Sequence, residues 1–251
     1  MFYPKKSLGQ NFLVNKGVLD RIVEAAQLSA EDTVIEVGPG TGVLTQRLVA
    51  TGAQVIAIEK DRRLIEPLRE KFAGITNLEI IEGDILEFDP STYKLQADSY
   101  KLVANIPYYL TSHLIRLMLE QWPAPERAIL MVQEEVARRM MAVPPEMNLL
   151  ALSVQLYATP TIVMRVSRGS FRPIPDVDSA VIKLELRDTN NELREQNEKV
   201  LQIAKKSFGQ KRKQLKATIP AETLGHAAIS PTARPQELSV ADWVRLASAL
   251  Q

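Results

Sequence analysis

The 251-residue chain has no cysteine and only two histidines, His113 and His226. The missing cysteine excludes thiolate catalysis, cysteine-ligated zinc, iron–sulfur clusters and disulfides together. Two widely separated histidines leave little from which to build a metal site. No apolar run approaches the roughly 18–20 residues that a membrane helix needs, and Met1-Phe2-Tyr3-Pro4-Lys5-Lys6 lacks the apolar stretch of a signal peptide. A soluble, cytoplasmic protein without metal or membrane partner is expected. Charge of one sign is also lacking, because 31 Lys and Arg face 30 Asp and Glu for a net charge of +1. That balance neither demands nor excludes a nucleic acid. What is present is a hydrophobic content of 45%, enough for a sizeable core. The length fits one large domain, or one of ordinary size with a small appendage.

The first two-thirds of the chain alternate short β-branched runs with amphipathic stretches, the pattern of βαβ units on a parallel sheet. Strands are predicted at Thr33–Val37, Val55–Glu59, Leu78–Glu82, Leu102–Asn105 and Ala128–Gln133, then at Thr161–Arg165 and Ser179–Leu186. Helices are predicted at about Gly42–Ala50, Arg62–Phe72, Ser112–Gln121 and Glu134–Ala142. Seven strands, the last pair late in the chain, indicate an α/β doubly wound sheet with an antiparallel addition. After Arg187 the polar break Asp188-Thr189-Asn190-Asn191 leads into apolar residues at helical spacing, and Val240–Leu250 closes the chain as an amphipathic helix. The expected division is residues 1–187 as a sheet domain and 188–251 as a small all-helical one.

Glu36-Val37-Gly38-Pro39-Gly40-Thr41-Gly42 follows the first strand and opens a helix. Gly38 and Gly40 permit a tight turn and bring a ligand close to backbone N–H groups. A dinucleotide fold would want its third glycine at position 43, where this chain has Val43. The Gly-x-Gly-x-Gly variant, with an acid two residues before its first glycine, is used by S-adenosylmethionine enzymes. Glu59, at the tip of the second strand, is placed to accept hydrogen bonds from both hydroxyls of a ribose. Asp84, after the third strand, can accept an adenine amine, with the backbone of Ile85 supporting the ring. Each feature alone has a plainer account: a strand-to-helix turn, a solvated strand-end acid, a turn residue after Gly83. Three of them at the carboxyl ends of successive strands point to a bound adenosine.

Strand four runs into Asn105-Ile106-Pro107-Tyr108. An exocyclic adenine amine is a poor nucleophile because its lone pair is delocalised into the ring. Two acceptors aimed at its hydrogens, the Asn105 side-chain carbonyl and the Ile106 backbone carbonyl, would draw the nitrogen toward tetrahedral geometry. Pro107 stiffens the turn, and Tyr108 offers a face for the base, a contact worth roughly 1–3 kcal/mol. The competing account is a sheet-end turn with core tyrosines.

With these motifs the chain resembles the KsgA/RsmA family of small-subunit (16S) ribosomal RNA adenine N6,N6-dimethyltransferases, over nearly its whole length. Lys5-Lys6-Ser7-Leu8-Gly9-Gln10-Asn11-Phe12-Leu13 looks like the family's amino-terminal motif. Asn105-Ile106-Pro107-Tyr108 matches its catalytic motif, and Phe171 through Ser179 matches Phe-x-Pro-x-Pro-x-Val-x-Ser. The resemblance implies a Rossmann-like class I S-adenosyl-L-methionine-dependent methyltransferase fold, with cofactor contacts on Asn11, Leu13, Gly38, Glu59, Asp84 and Asn105. It also implies that Phe171 holds the other face of the target adenine. One stretch departs from the family pattern: Asn148-Leu149-Leu150-Ala151-Leu152-Ser153-Val154 lacks the Tyr-Gly that typical members carry before Leu-Ser-Val.

From Lys199 to Lys216 the chain carries seven Lys or Arg and no acid. Lys205, Lys206, Lys211, Arg212 and Lys213, with Arg138, are the candidates for RNA phosphate contact. A solvated helix face is the ordinary account of such a run. The partner implied is 16S rRNA within the assembling small subunit, met by a monomer. Three rivals stay open: an Erm-type 23S rRNA adenine methyltransferase, a non-catalytic ribosome-assembly factor, and a nicotinamide dehydrogenase, the last disfavoured by the glycine spacing.

Overall fold

The computed structural model describes residues 9–187, 191–210 and 212–250. Residues 5–8 of the amino-terminal motif, the break at 188–190 and Lys211 lie outside them. In chain order the elements are β1 (Phe12–Leu13), α1 (Lys16–Ala26), β2 (Thr33–Val37), α2 (Val43–Val49), β3 (Gln54–Glu59), α3 (Arg62–Lys71), β4 (Leu78–Glu82), β5 (Lys101–Asn105) and α4 (Thr111–Glu120). There follow β6 (Arg127–Gln133), α5 (Glu134–Met140), α6 (Leu149–Tyr157), β7 (Ala158–Val166), β8 (Phe171–Arg172), β9 (Ser179–Leu186), α7 (Asn191–Phe208), α8 (Ala221–His226) and α9 (Val240–Ser248).

All seven predicted strands form one sheet, in the order β4-β3-β2-β5-β6-β9-β7. β2 runs parallel to β3 and to β5, and β6 pairs antiparallel with β9. The central strands β2, β5 and β6 bury nearly every residue, which explains why they read as unbroken apolar runs and not as alternations. The strand order reverses between β2 and β5. The crevice beyond the carboxyl ends of strands at such a switch point is where ligands bind in doubly wound folds.

A second, two-stranded pairing joins β1 to β8, with Phe12 opposite Arg172 and Leu13 opposite Phe171. It ties the amino-terminal motif to the Phe-x-Pro-x-Pro segment. α1 directly follows β1, and its first turn is capped by Asn15, whose Oδ1 accepts from the Val18 N–H at 3.3 Å.

The described residues divide into two compact units. One holds the sheet, with residues up to Ala137 and again from Thr161 to the end of β9. The other takes Arg138–Pro160 together with residues from 191 onward. Composition alone places 138–160 with the sheet, because it shifts only after Arg187. Packing draws the segment away: α6 lies against α7 and α9, and Ala151, Leu152 and Val154 are buried there. The departure at Asn148 has a local explanation. The Asn148 side chain caps α6, accepting from Ala151 N–H at 3.0 Å and donating to the Arg139 carbonyl at 2.9 Å. Within the same unit, Trp243 is fully buried with its ring 5.6 Å from that of Phe208. No helix among the described residues is long and apolar enough to cross a membrane.

Candidate active site

The loop after β2 is shaped by glycines in the left-handed region, Gly40 at φ +60° and Gly42 at φ +72°. A Cβ on Gly42 would lie 2.7 Å from the Phe72 ring, and one on Gly40 would lie 3.0 Å from the Phe12 ring. At Gly38 a Cβ would meet nothing within 4 Å, so the backbone there faces open space. The turn therefore packs tightly beneath and stays bare where a ligand can lie against it.

Glu59 fastens this turn to β3. Its Oε2 accepts from the Gly40 N–H at 3.0 Å, and its Oε1 accepts from the Asp61 N–H at 2.8 Å. Burial pushes its carboxyl above the ordinary range, while those two backbone donors act in the opposite sense. Asp84, after β4, accepts from the Leu86 N–H at 3.1 Å and pairs with the Lys60 ammonium. Burial works upward on Asp84 too, but Lys60 and Leu86 outweigh it and hold the carboxyl below its ordinary value.

At the end of β5 the Asn105 amide donates to the Asn11 carbonyl at 3.3 Å. The nitrogen is thus committed, and Oδ1 remains as the acceptor. Ile106 donates its N–H to the Met131 carbonyl at 3.3 Å, which fixes the Asn105–Ile106 peptide. The Tyr108 hydroxyl lies 2.9 Å from Ser179 Oγ, and burial raises the phenol's pKa. Phe171, 1% exposed, arrives on β8 through the pairing with Leu13.

One cleft of about 1100 Å³, its open mouth included, collects these residues. Asn11, Leu13, Gly38, Gly40, Glu59, Asp84, Ile85, Asn105, Ile106, Pro107, Tyr108 and Phe171 all line it. Every residue expected at the cofactor or the target base therefore lies on one surface. Two structural partners were absent from that expectation. Gln10 donates to Asp61 Oδ2 at 2.9 Å, and Ser179 steadies Tyr108. Ser179 stands in a motif already singled out, but its link to Tyr108 spans 71 positions and exists only in the fold.

The cleft suits S-adenosylmethionine. A bare glycine turn faces open space, one carboxylate is placed for vicinal hydroxyls, and a second acid with apolar Ile85 is placed for an adenine. The chain matches the profile of the ribosomal RNA adenine dimethylases across residues 1–251. It belongs to that family.

Relatives in the family lie close. Ribosomal RNA small subunit methyltransferase A of Dehalococcoides mccartyi strain BAV1 is 41% identical over 252 residues, covering 96% of this chain and 87% of that protein. Among solved structures, a dimethyladenosine transferase of Plasmodium falciparum is 30% identical, covers 94% of this chain and 95% of its own, and superposes with a TM-score of 0.78. The 23S rRNA methyltransferase ErmE is 29% identical, covers 96% and 99%, and gives a TM-score of 0.74. The dimethylase family is S-adenosylmethionine-dependent, and the cofactor when bound supplies an electrophilic methyl group.

The basic candidates lie in the helical unit. Arg138, Lys205, Lys206, Arg212 and Lys213 are all exposed there, and Lys211 falls outside the described residues.

Ser179→Ala offers a direct measure of the tyrosine anchor. Loss of one hydrogen bond of about 0.5–1.5 kcal/mol predicts a roughly 2- to 10-fold rise in KM for RNA, with cofactor Kd unchanged. Steady-state kinetics with varied RNA tests this, and an unaltered KM would show that Tyr108 needs no anchor.

Proposed function

We propose that this chain transfers methyl groups from S-adenosyl-L-methionine to the N6 amines of two adjacent adenines near the 3′ end of 16S rRNA, within the assembling small subunit. The observation that carries this reading is the commitment of the Asn105 amide nitrogen to the Asn11 carbonyl, which leaves Oδ1 as an acceptor beside Tyr108. Gly38 and Gly40 cradle the methionine end of the cofactor, Glu59 takes its ribose, and Asp84 with Ile85 takes its adenine. The target base lies between Tyr108 and Phe171. Its amine donates to Asn105 Oδ1 and to the Ile106 carbonyl, so both acceptors stabilise the positive charge that grows on nitrogen during methyl transfer. No dedicated general base is needed, because the amine becomes acidic only after attack and can then release its proton to water. Most of the catalysis is positioning, to which well-oriented reactants owe on the order of 7–11 kcal/mol.

The resemblance to small-subunit methyltransferases at 41% identity supports 16S over 23S rRNA as the substrate. An rRNA substrate also supports a cytoplasmic setting. Incubation of unmethylated small subunits with enzyme and cofactor, followed by mass spectrometry of the 3′ RNA fragment, should reveal two dimethyladenosines. Unmodified small subunits, with methylation of large-subunit RNA in a parallel incubation, would favour the Erm type instead.

The exposed cations of the helical unit are assigned to RNA phosphate. Replacing Lys205, Lys206, Arg212 and Lys213 together with Ala should weaken RNA binding at low salt. The slope of log K against log[salt] should become shallower by about 0.7–0.9 for each phosphate that is no longer neutralised. Filter binding over a salt series measures it, and an unchanged slope would make these residues an ordinary solvated face.

A further inference from the structure

The catalytic cleft accounts for Phe171 but not for the loop that follows it. Ile174 is 57% exposed and Val177 is 44% exposed. Single exposed apolar side chains are common and ordinarily mean nothing. These two are held differently. Pro173 and Pro175 flank Ile174 and restrict the backbone on both sides. Pro175 is buried and seats the loop, while Ile174 beside it stays in solvent.

Both ends of the loop are fastened as well. The Arg168 N–H donates to Asp178 Oδ1 at 2.8 Å, and the Glu134 N–H donates to the Asp178 carbonyl at 3.0 Å. The Arg172 guanidinium donates to the Phe171 carbonyl at 2.7 Å and to the Gly169 carbonyl at 3.1 Å. A stiff loop thus presents an isoleucine close in the chain to two exposed arginines. Asp176 and Asp178 set two negative charges against those two positive ones, and the Arg168 guanidinium donates to the Asp176 carbonyl at 3.4 Å.

Ile174 lies three residues beyond Phe171, within about 10 Å of chain at the roughly 3.3–3.6 Å that each residue spans. An adenine reaching the Tyr108–Phe171 slot must leave its stack, and it leaves a gap. Nucleic-acid-binding proteins that open base steps frequently insert an apolar side chain, isoleucine among them, between the bases, with Arg or Lys contacts beside it.

We propose that Ile174 is the wedge that occupies the base step vacated by the target adenine, with Arg168 and Arg172 holding the neighbouring phosphates. The proposal rests on the adenine-methylating function above. It adds a residue that touches RNA outside the reacting centre.

The test uses the full chain and a small-subunit 3′ RNA fragment carrying 2-aminopurine in place of one target adenine. The wild type should raise 2-aminopurine fluorescence on binding. Ile174→Ala should lower that rise at least 3-fold and reduce kcat/KM on unmodified RNA about 10-fold, with cofactor Kd and Tm unchanged. Ile174→Met, which restores apolar bulk, should recover most of both signals. Ile75→Ala serves as control, because Ile75 is 42% exposed but precedes β4 at the opposite end of the sheet, and it should stay within 2-fold of wild type. Fluorescence and kcat/KM of Ile174→Ala within 2-fold of wild type would overturn the wedge, as would an equal loss in the Ile75 control. Failure of the wild type itself to methylate unmethylated small subunits would instead strike the functional reading.

Discussion

Asn105→Ala is expected to cut methyl transfer by about 10²- to 10³-fold, the usual cost of removing one preorganised group that stabilises transition-state charge. The substitution deletes the Oδ1 acceptor and leaves the Ile106 carbonyl as the amine's single partner. It also frees the Asn11 carbonyl, which loses its donor at 3.3 Å. The fold should survive, because Asn105 ends β5 at the edge of an open cleft, and Leu102, Val103 and Ala104 keep the strand buried. The loss should therefore appear in kcat at saturating RNA and cofactor, with Tm close to wild type. Single-turnover rates by tritium transfer measure it directly. Asn105→Asp sharpens the test, since it retains an acceptor but replaces the donor to Asn11 with a second, anionic oxygen. Turnover near wild type in Asn105→Ala would remove Asn105 from the catalytic role.

The sheet was legible because its strands are buried on both faces and end in chemically distinctive residues. Gly38, Glu59, Asp84 and Asn105 each close or follow a strand in β-branched sequence, so their common location follows once the strands are recognised as parallel. What spacing does not carry is the closure of the cleft. Asn11 meets Asn105 across 94 positions, and Ser179 meets Tyr108 across 71. β1 and β8 have two residues each, too few to display any period. The helical unit shows the same limit in another form. α6 lies far from α7 in sequence, and its hydrophobic residues Leu149–Val154 fit a sheet domain as readily as a helical one until packing against α7 and α9 decides. Asn148 looked like a departure from a family motif, and the fold uses it as a helix cap.

Glu36 gives the other large effect, and it depends on pH. The residue sits in β2 immediately before Val37 and is 1% exposed. Its Oε2 finds no hydrogen-bond partner among the described residues, and the nearby Thr45 Oγ1 completes none of normal geometry either. Burial pushes the carboxyl up to about 8; Thr45 beside it acts downward, and the neighbouring Glu59 reinforces the rise. The unfolded chain releases this proton near 4.5, whereas the folded chain retains it to about 8. Between those values the native state binds more protons than the unfolded state, so stability falls as pH rises through the window, by up to about 1.4 kcal/mol per pH unit. Glutamine mimics the neutral acid and cannot ionise. Glu36→Gln should match the cofactor-free wild type near pH 5 and exceed it by about 2–4 kcal/mol at pH 7.5, roughly 5–10 °C in Tm for a chain of this size. Asp32, Asp61 and Asp84 are held below their ordinary values, so their contributions fade only toward acid, and being common to both proteins they cancel in the difference. Thermal melts of both proteins from pH 5 to 8.5 supply the comparison. Curves that diverge as pH rises place a neutral carboxyl beneath the glycine turn, and parallel curves would mean that Glu36 is already ionised in the folded state.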